Sequence, residues 1–455
     1  MIRIYNTYTR QLEALKPIEA GKLRMYVCGP TVYNYIHIGN ARSVVAFDVV
    51  RRYLEWRGFD VDYVSNFTDV DDKIINRARE EGMSPAELSE KYIKAFYEDI
   101  DALNVERASH NPRATNYIDK MIDFVQDLIN KDFAYISEGD VYFRVAKAQD
   151  YGKLANKNLS ELLEGASGRT DDETELKESP ADFALWKSAK SGEVSWQAPW
   201  GNGRPGWHLE CSVMAGALLG KTLDIHGGGA DLEFPHHTNE IAQSEAHTGQ
   251  KFVNIWMHNG FVNIDGEKMS KSLGNFKTVH EMLEAGYEPQ VLRFFLATAH
   301  YRRPLDFTDD ALVRAENNLK KIENAYRLLH ENSKAAEADE SGLDVFIARF
   351  SKAMDEDFNI ANGLTVFYDF IAAVNVGALH GKKTEQFFDD VIKIIGLKFD
   401  LSPEILDEEI EKLIEARQIA REMRDYAKSD QIRDQLKAQG IILEDTAQGM
   451  RWHRE

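Results

Sequence analysis

Leu23-Arg24-Met25-Tyr26-Val27 alternates in polarity and runs into Cys28-Gly29-Pro30, a pattern that predicts a strand ended by a turn. From Ala41 to Arg57 the apolar residues Val44, Val45, Phe47, Val49, Val50, Tyr53 and Leu54 recur at helical spacing, and Gly58 stands where a helix C-cap belongs. Val61 to Phe67 reads as a second strand. Strand, helix and strand in this order predict a right-handed parallel crossover, and with it an α/β domain of nucleotide-binding type. The connection into the helix holds His37-Ile38-Gly39-Asn40. Gly39 lets backbone approach a ligand closely, and a helix start presents amides and partial positive charge to phosphate. His37 can donate to phosphoryl oxygens as charge builds there.

Far downstream, Lys268-Met269-Ser270-Lys271-Ser272 lies between Gly266 and Gly274. Two ammonium groups and two hydroxyls in so short a loop suit a transient grip on a polyphosphate, through charge-assisted hydrogen bonds. Alone, such a pentamer reads as a solvated loop; paired with the upstream element it gains meaning.

His37-Ile38-Gly39-Asn40 and Lys268-Met269-Ser270-Lys271-Ser272, in this order, resemble the two signature motifs of class I aminoacyl-tRNA synthetases. Cys28-Gly29-Pro30-Thr31-Val32-Tyr33 and Asn66-Phe67-Thr68-Asp69-Val70-Asp71-Asp72-Lys73 resemble the cysteinyl-tRNA synthetase family in particular. So do Gly206-Trp207-His208-Leu209-Glu210-Cys211-Ser212 and Phe234-Pro235-His236-His237, and the likeness runs over essentially the whole chain. Two positions depart from it. Asn40 stands where the family motif often ends in His, and Thr238 where many members carry Glu.

The resemblance implies a Rossmann-like catalytic domain that activates L-cysteine with Mg-ATP and transfers it to tRNA(Cys). His37, Asn40, Lys268 and Lys271 are then the catalytic groups, with Gly39 at the ATP phosphates. Gly227-Gly228-Gly229-Ala230-Asp231 follows the strand-like Thr222–Ile225, so Gly229 can approach the ATP ribose and Asp231 accept from its hydroxyls. Thr68 reads as the partner of the substrate's amino group. Trp207 reads either as a core aromatic or as a wall beside the amino acid.

The chain has two cysteines, Cys28 and Cys211. They could form one disulfide, but in a cytoplasmic enzyme ligation or burial is expected. If Pro235 opens a helix, His236 and Glu240 project from one face of it. Spacing alone does not settle a metal site, because no C-x-x-C pair is present. The resemblance carries Cys28, Cys211, His236 and Glu240 over as ligands of one zinc per chain. Zinc accepts thiolate, imidazole and carboxylate donors. Its affinity for thiolate would distinguish cysteine from serine, which a pocket of fixed shape does poorly.

The formal net charge of −20 excludes indiscriminate nucleic-acid binding, while permitting a tRNA partner read by local basic groups. No apolar run reaches membrane-spanning length and the N-terminus opens on a strand-like segment, so a cytoplasmic protein without membrane contact is expected. A monomer is the expected state. A length of 455 residues allows two to four domains. The expected division is a catalytic first half over 1–116, a connective insertion over 117–199 and a catalytic second half over 200–250. The region of the Lys-Met-Ser-Lys-Ser loop follows over 251–308, a helical bundle over 309–396 and an anticodon-binding module over 397–455. Ser84-Pro85-Ala86-Glu87 predicts a capped helix start, and Leu312, Ala315, Leu319, Ile322, Ala325 and Leu329 a helix from Asp309. Ser402-Pro403 predicts another helix start, and Gly440–Asp445 a short strand and turn. Arg451 and Trp452 offer a cation and an aromatic face to an unstacked base. A ligase that joins cysteine to an amino sugar would share the chemistry but need no anticodon module.

Overall fold

Strand β1 (Lys22–Val27), helix α1 (Ile38–Trp56) and strand β2 (Asp60–Ser65) form the expected crossover, with Leu23 opposite Val61 and Val27 opposite Ser65 in a parallel register. The computed structural model describes residues 1–157, 161, 176–190, 192–269, 275–335, 338–399, 408–438, 441–446 and 449–454. Helix α1 begins at Ile38, earlier than the apolar spacing predicts. The cause is local. His37 is its N-cap, in extended conformation, and its Nδ1 accepts from the Asn40 amide at 3.1 Å. His-Ile-Gly-Asn is therefore the first turn of the helix, not a loop ahead of it. The helix ends where the Arg57 amide returns to the Tyr53 carbonyl and Gly58 takes φ +88°.

Helix α2 (Trp207–Leu219), strand β3 (Leu223–Gly229), helix α3 (Thr238–Thr248) and strand β4 (Val253–Asn259) complete the catalytic layer. The sheet order is β4-β3-β1-β2, parallel throughout. Its strands are covered on both faces, so Leu23, Met25, Tyr26, Leu223 and Ile225 are all fully buried. Strand β3 continues through the glycine triplet, beyond the Ile225 end expected from sequence. Gly227 explains why: a Cβ there would lie 2.3 Å from Cζ of Phe47, so the bare backbone is what lets α1 lie against the sheet.

Between the two halves lies a five-stranded antiparallel sheet, ordered Ala134–Ser137, Asp140–Phe143, Phe183–Ser188, Gly201–Pro205, Trp196–Ala198. Gly201–Pro205 thus pairs with the insertion, although the boundary at 200 put it with the catalytic half. The Ser84 capping box is present, with both reciprocal bonds to Glu87. A long helix spans Asp309–Ala335 and buries the whole predicted stripe from Leu312 to Leu329. Helices Leu343–Asp355, Ile360–Asn375 and Lys382–Ile395 pack on one another through Phe350, Phe367, Phe370, Phe387 and Phe388, and Phe388 stacks on Tyr326 of the long helix.

The chain divides into two compact units, Met1–Lys398 and Phe399–Glu455. The second contains helices Glu408–Glu422 and Tyr426–Ala438 and an antiparallel hairpin, Ile441–Thr446 with Gly449–Arg454. Ile432, Leu436 and Ile441 form its core. Ser402 and Pro403 lie outside the described residues, as do the side chains of Arg451 and Trp452 on the second hairpin strand. Among the described residues no helix is long and apolar enough to cross a membrane.

The close approach at Gly227 generates a stability prediction. Gly227→Ala should lower the unfolding free energy by about 1–3 kcal/mol, the cost of overpacking a tight core, read as a lower urea midpoint at an unchanged denaturant slope.

Candidate active site and metal centre

In an open parallel sheet, ligands bind beyond the carboxyl ends of strands, at the point where successive crossovers leave in opposite directions. Here that point lies between β1 and β3. Cys28 follows β1, Thr68 follows β2, and Gly229 ends β3; all three line one cavity of about 440 Å³. His37, Gly39 and Asn40 form another part of its wall, as do Trp207, Cys211, Asp231 and His236. The two signature motifs meet here. Met269 lines the cavity, and its Cε lies 3.3 Å from where a Cβ on Gly39 would stand. Phe276 packs edge-on against His37, with centroids 5.1 Å apart, and the Ile38 amide donates to the Lys277 carbonyl at 3.1 Å. Lys268 is on a short strand paired with Asn263, with its side chain outside the described residues; Lys271 lies outside them altogether.

Cys28, Cys211, His236 and Glu240 each place one donor atom within 4.8 Å of all the others. The two Sγ atoms are 3.5 Å apart, and His236 Nε2 is 3.1 Å from Glu240 Oε1. Helix α3 starts at Thr238, so Pro235 does not open it as the sequence suggested. His236 sits in an irregular turn just ahead of the helix and still reaches Glu240. Both cysteines are unbridged. A second set, Cys28, His226, His237 and Glu240, satisfies the same distance test. Of these only Cys28 lines the cavity, whereas three members of the first set do. His226 and His237 are better understood as backing. His226 Nε2 lies 3.0 Å from Glu240 Oε2, and His237 Nδ1 lies 2.7 Å from His258 Nε2. His208 Nδ1 sits 3.0 Å from His236 Nδ1, which leaves the Nε2 edge of His236 toward the other donors.

The charges in this cluster are mutually arranged. Burial would raise the Glu240 carboxyl, but His226 and His236 outweigh it and hold it down at about 2. Burial would lower His236, yet hydrogen bonds and charge from Cys211 and Glu240 raise it to about 10. A hydrogen bond from Cys28 lowers the Cys211 thiol to about 6, while burial pushes Cys28 up. His237 and His208 are held well below the usual imidazole range by burial and then by neighbouring histidines, so they stay neutral. A thiolate, an anionic carboxylate and a buried histidine that would give up its proton to a metal converge on one point and form a donor set of the kind zinc takes.

Thr68 is buried and donates its hydroxyl to Glu210 Oε2 at 2.7 Å. Glu210 was not singled out in the sequence, nor were His226, His258 and Lys73, which also lines the cavity. Histidines inside two apolar strand segments, in Ile225-His226-Gly227 and Met257-His258-Asn259, were the available signal. Trp207 is 41% exposed, with its ring 4.4 Å from that of His236, so it is not a core aromatic. Asp231 packs back over Gly229, its Oδ1 2.4 Å from where a Cβ would stand.

Residues 14–317 match the family described as tRNA synthetases class I (C) catalytic domain, 349–397 the DALR domain, and 404–452 the cysteinyl-tRNA ligase anticodon binding domain. A methionyl-tRNA synthetase of Mycobacterium tuberculosis, solved in complex with methionyl-adenylate, shares the fold at TM-score 0.59 and 16% identity, over 82% of this chain and 88% of that one. The catalytic layer is that of a class I aminoacyl-tRNA synthetase, an ATP-dependent ligase. A cysteine–tRNA ligase of Lactococcus lactis subsp. cremoris (strain SK11) is 72% identical over 454 residues, covering 100% of both chains. That of Streptococcus pneumoniae serotype 4 is 60% identical over 455 residues, again with 100% of both chains covered. The chain belongs to the cysteine–tRNA ligase family.

A buried acid behind the second motif provides a pH test. Asp99, on helix Pro85–Ala102, is 1% exposed, and neither carboxyl oxygen has a hydrogen-bond partner among the described residues. His280 Nδ1 stands 3.8 Å away. Burial, and then the charge of Glu98, raises the Asp99 carboxyl from 3.8 to about 7. An acid raised in the folded state favours folding fully below its unfolded pKa, and that contribution is lost as pH rises toward 7. The stability gain of Asp99→Asn over the parent should therefore grow by about 1–3 kcal/mol between pH 4 and pH 8 and level off above pH 7, as read from paired urea titrations.

Proposed function

We propose that the cavity takes L-cysteine at its floor, against Cys28, Cys211, His236 and Glu240, and Mg-ATP along the start of α1. The observation that supports this most is the gathering of those four donors below a wall built from both signature motifs. A cysteine–tRNA ligase joins the carboxylate of cysteine to the α-phosphate of ATP, releasing pyrophosphate, and passes the acyl group to the terminal adenosine of tRNA(Cys). Zinc, when bound, supplies a soft cation that holds a thiolate far better than a hydroxyl, which selects cysteine over serine without an editing domain.

The protein's own groups do the positioning. The Thr68 proton is committed to Glu210, which turns the oxygen's lone pairs toward an incoming ammonium. Trp207 walls the side-chain end of the pocket. Nδ1 of His37 accepts from the Asn40 amide, so the proton sits on Nε2, where it can meet phosphoryl oxygen together with the first amides of α1. Asn40 adds an amide to the same wall. Gly229 and Asp231 receive the ribose. Lys268 and Lys271 neutralise pyrophosphate as it leaves. No side-chain nucleophile is needed; the rate comes from alignment and charge stabilisation. One copy of the chain carries both motifs and all four donors, so the protein works as a monomer, in the cytoplasm where tRNA is charged.

Atomic absorption should find about one zinc per chain, and Cys211→Ser should lose the metal and cysteine-dependent pyrophosphate exchange together. Serine should support exchange on the order of 10⁴-fold less well than cysteine. Protein that is fully active without stoichiometric metal, or that accepts serine comparably, overturns the reading.

The terminal unit is assigned to the anticodon of tRNA(Cys). A chain ending at Lys398 should keep cysteinyl-adenylate formation, while tRNA charging falls by roughly tenfold or more, chiefly through a raised KM for tRNA as phosphate contacts are lost. Undiminished charging would reassign the module and reopen the small-molecule ligase.

A further inference from the structure

Asp357 and Phe358 take φ of +61° and +51° in succession, a left-handed pair that a phenylalanine rarely joins, and both are buried. Strain of this kind persists where the surroundings over-determine it. The surroundings here are donors converging on the Asp357 carboxylate. Oδ1 accepts from the Tyr5 amide at 2.8 Å and from Tyr301 Oη at 2.7 Å. Oδ2 accepts from Arg302 Nε at 2.7 Å, with His300 Nε2 at 3.4 Å. The Asp357 amide donates to the Arg3 carbonyl at 2.8 Å. Burial would raise this carboxyl, but the donors from His300, Tyr5, Tyr301 and Arg302 prevail and keep it below the usual range.

Three of those donors are consecutive residues of the turn 300–303, and the backbone of that turn reaches the active site in two directions. The His300 carbonyl accepts from Arg42 Nη2 at 3.0 Å, and Arg42, fully buried, belongs to α1 just after the first motif. The Tyr301 carbonyl accepts from the Gly260 amide at 2.8 Å. Contact with Gly260 is so close that a Cβ there would lie 2.5 Å from the Arg303 carbonyl carbon and 2.8 Å from the Arg302 oxygen. Gly260, with Asn259, Phe261 and Val262, lines the cavity opposite the motif helix.

We infer that Asp357 is a positioning residue for the nucleotide: by locking turn 300–303 it fixes both the Gly260 wall and the start of α1. It lies within the stretch matched to the DALR domain, so the helical region takes part in holding ATP although none of its described residues lines the cavity. The inference rests on the reading that this cavity binds ATP. Misplacement of a binding wall by a fraction of an ångström acts on the ligand that touches that wall and leaves the cysteine floor alone.

The test uses full-length protein carrying Asp357→Asn or Tyr301→Phe in cysteine-dependent pyrophosphate exchange, with zinc content and thermal midpoint measured alongside. Asp357→Asn should raise the KM for ATP roughly tenfold and Tyr301→Phe by several-fold, with the KM for cysteine within about twofold of the parent and zinc retained. A lowered midpoint with both KM values unchanged, or an equal rise in both, overturns the inference by reducing Asp357 to a structural role. Tyr301→Phe removes one hydroxyl and decides the matter if Asp357→Asn does not fold. Absence of exchange in the parent protein would instead overturn the reading of the cavity, and this inference with it.

Discussion

Glu240 is fully buried, and a buried carboxylate is tolerated only where its charge is met by partners on more than one side. His226 meets one oxygen and His236 the other. Meeting that demand organises much of the catalytic layer. His226 must come from the middle of β3, where its ring stacks on Trp256 of β4, and Glu240 must come from the first turn of the helix between those strands. Once they are so placed, the remaining face of the carboxylate looks toward Cys28 and Cys211, brought in by β1 and α2. Four elements of the sheet and its cover thus share one electrostatic requirement.

Much of this was legible in the chain because it was written locally. The β1–α1–β2 unit, the capped helix at Ser84 and the stripe from Leu312 to Leu329 each depend on residues within a turn or two of one another, and each is present. The gathering of Cys28, Cys211, His236 and Glu240 was legible only through the family likeness, since Cys28 and Cys211 meet across the sheet. What was missed is long-range or subtle. Backing by His226, His237 and His258 arises from strand register, which no spacing in the sequence specifies. Glu210 looked like one more acid on a helix; its meaning comes from Thr68, far off in sequence and 2.7 Å away in space. The start of α1 was placed late because apolar periodicity marks the buried face, whereas the first turn is set by a histidine cap, a residue type seldom found in that role. Pro235 misled for a related reason: proline favours a first turn, but here it precedes an irregular segment and the helix proper waits until Thr238.

Glycines carry the tolerances of the site. Gly227 lets α1 settle on the sheet, and Gly260 lets the turn 300–303 press against the end of β4. In both places backbone replaces side chain as the packing surface, so the distance between the motif helix and the opposite wall is set by the least compliant atoms available.

His37 has two occupations. One ring nitrogen ends the backbone's extended run and starts α1, and the residue also lines the cavity, where the proposed reading gives its other nitrogen to the phosphates. The first task fixes the ring's orientation and its tautomer without requiring a positive charge, so the donor it offers persists in the neutral imidazole. The consequence is an asymmetry between neighbours. Replacing His37 removes the cap that starts α1 together with a side chain of the cavity wall, whereas Asn40, which lends the cap only a main-chain amide, can change its side chain without disturbing the start of the helix.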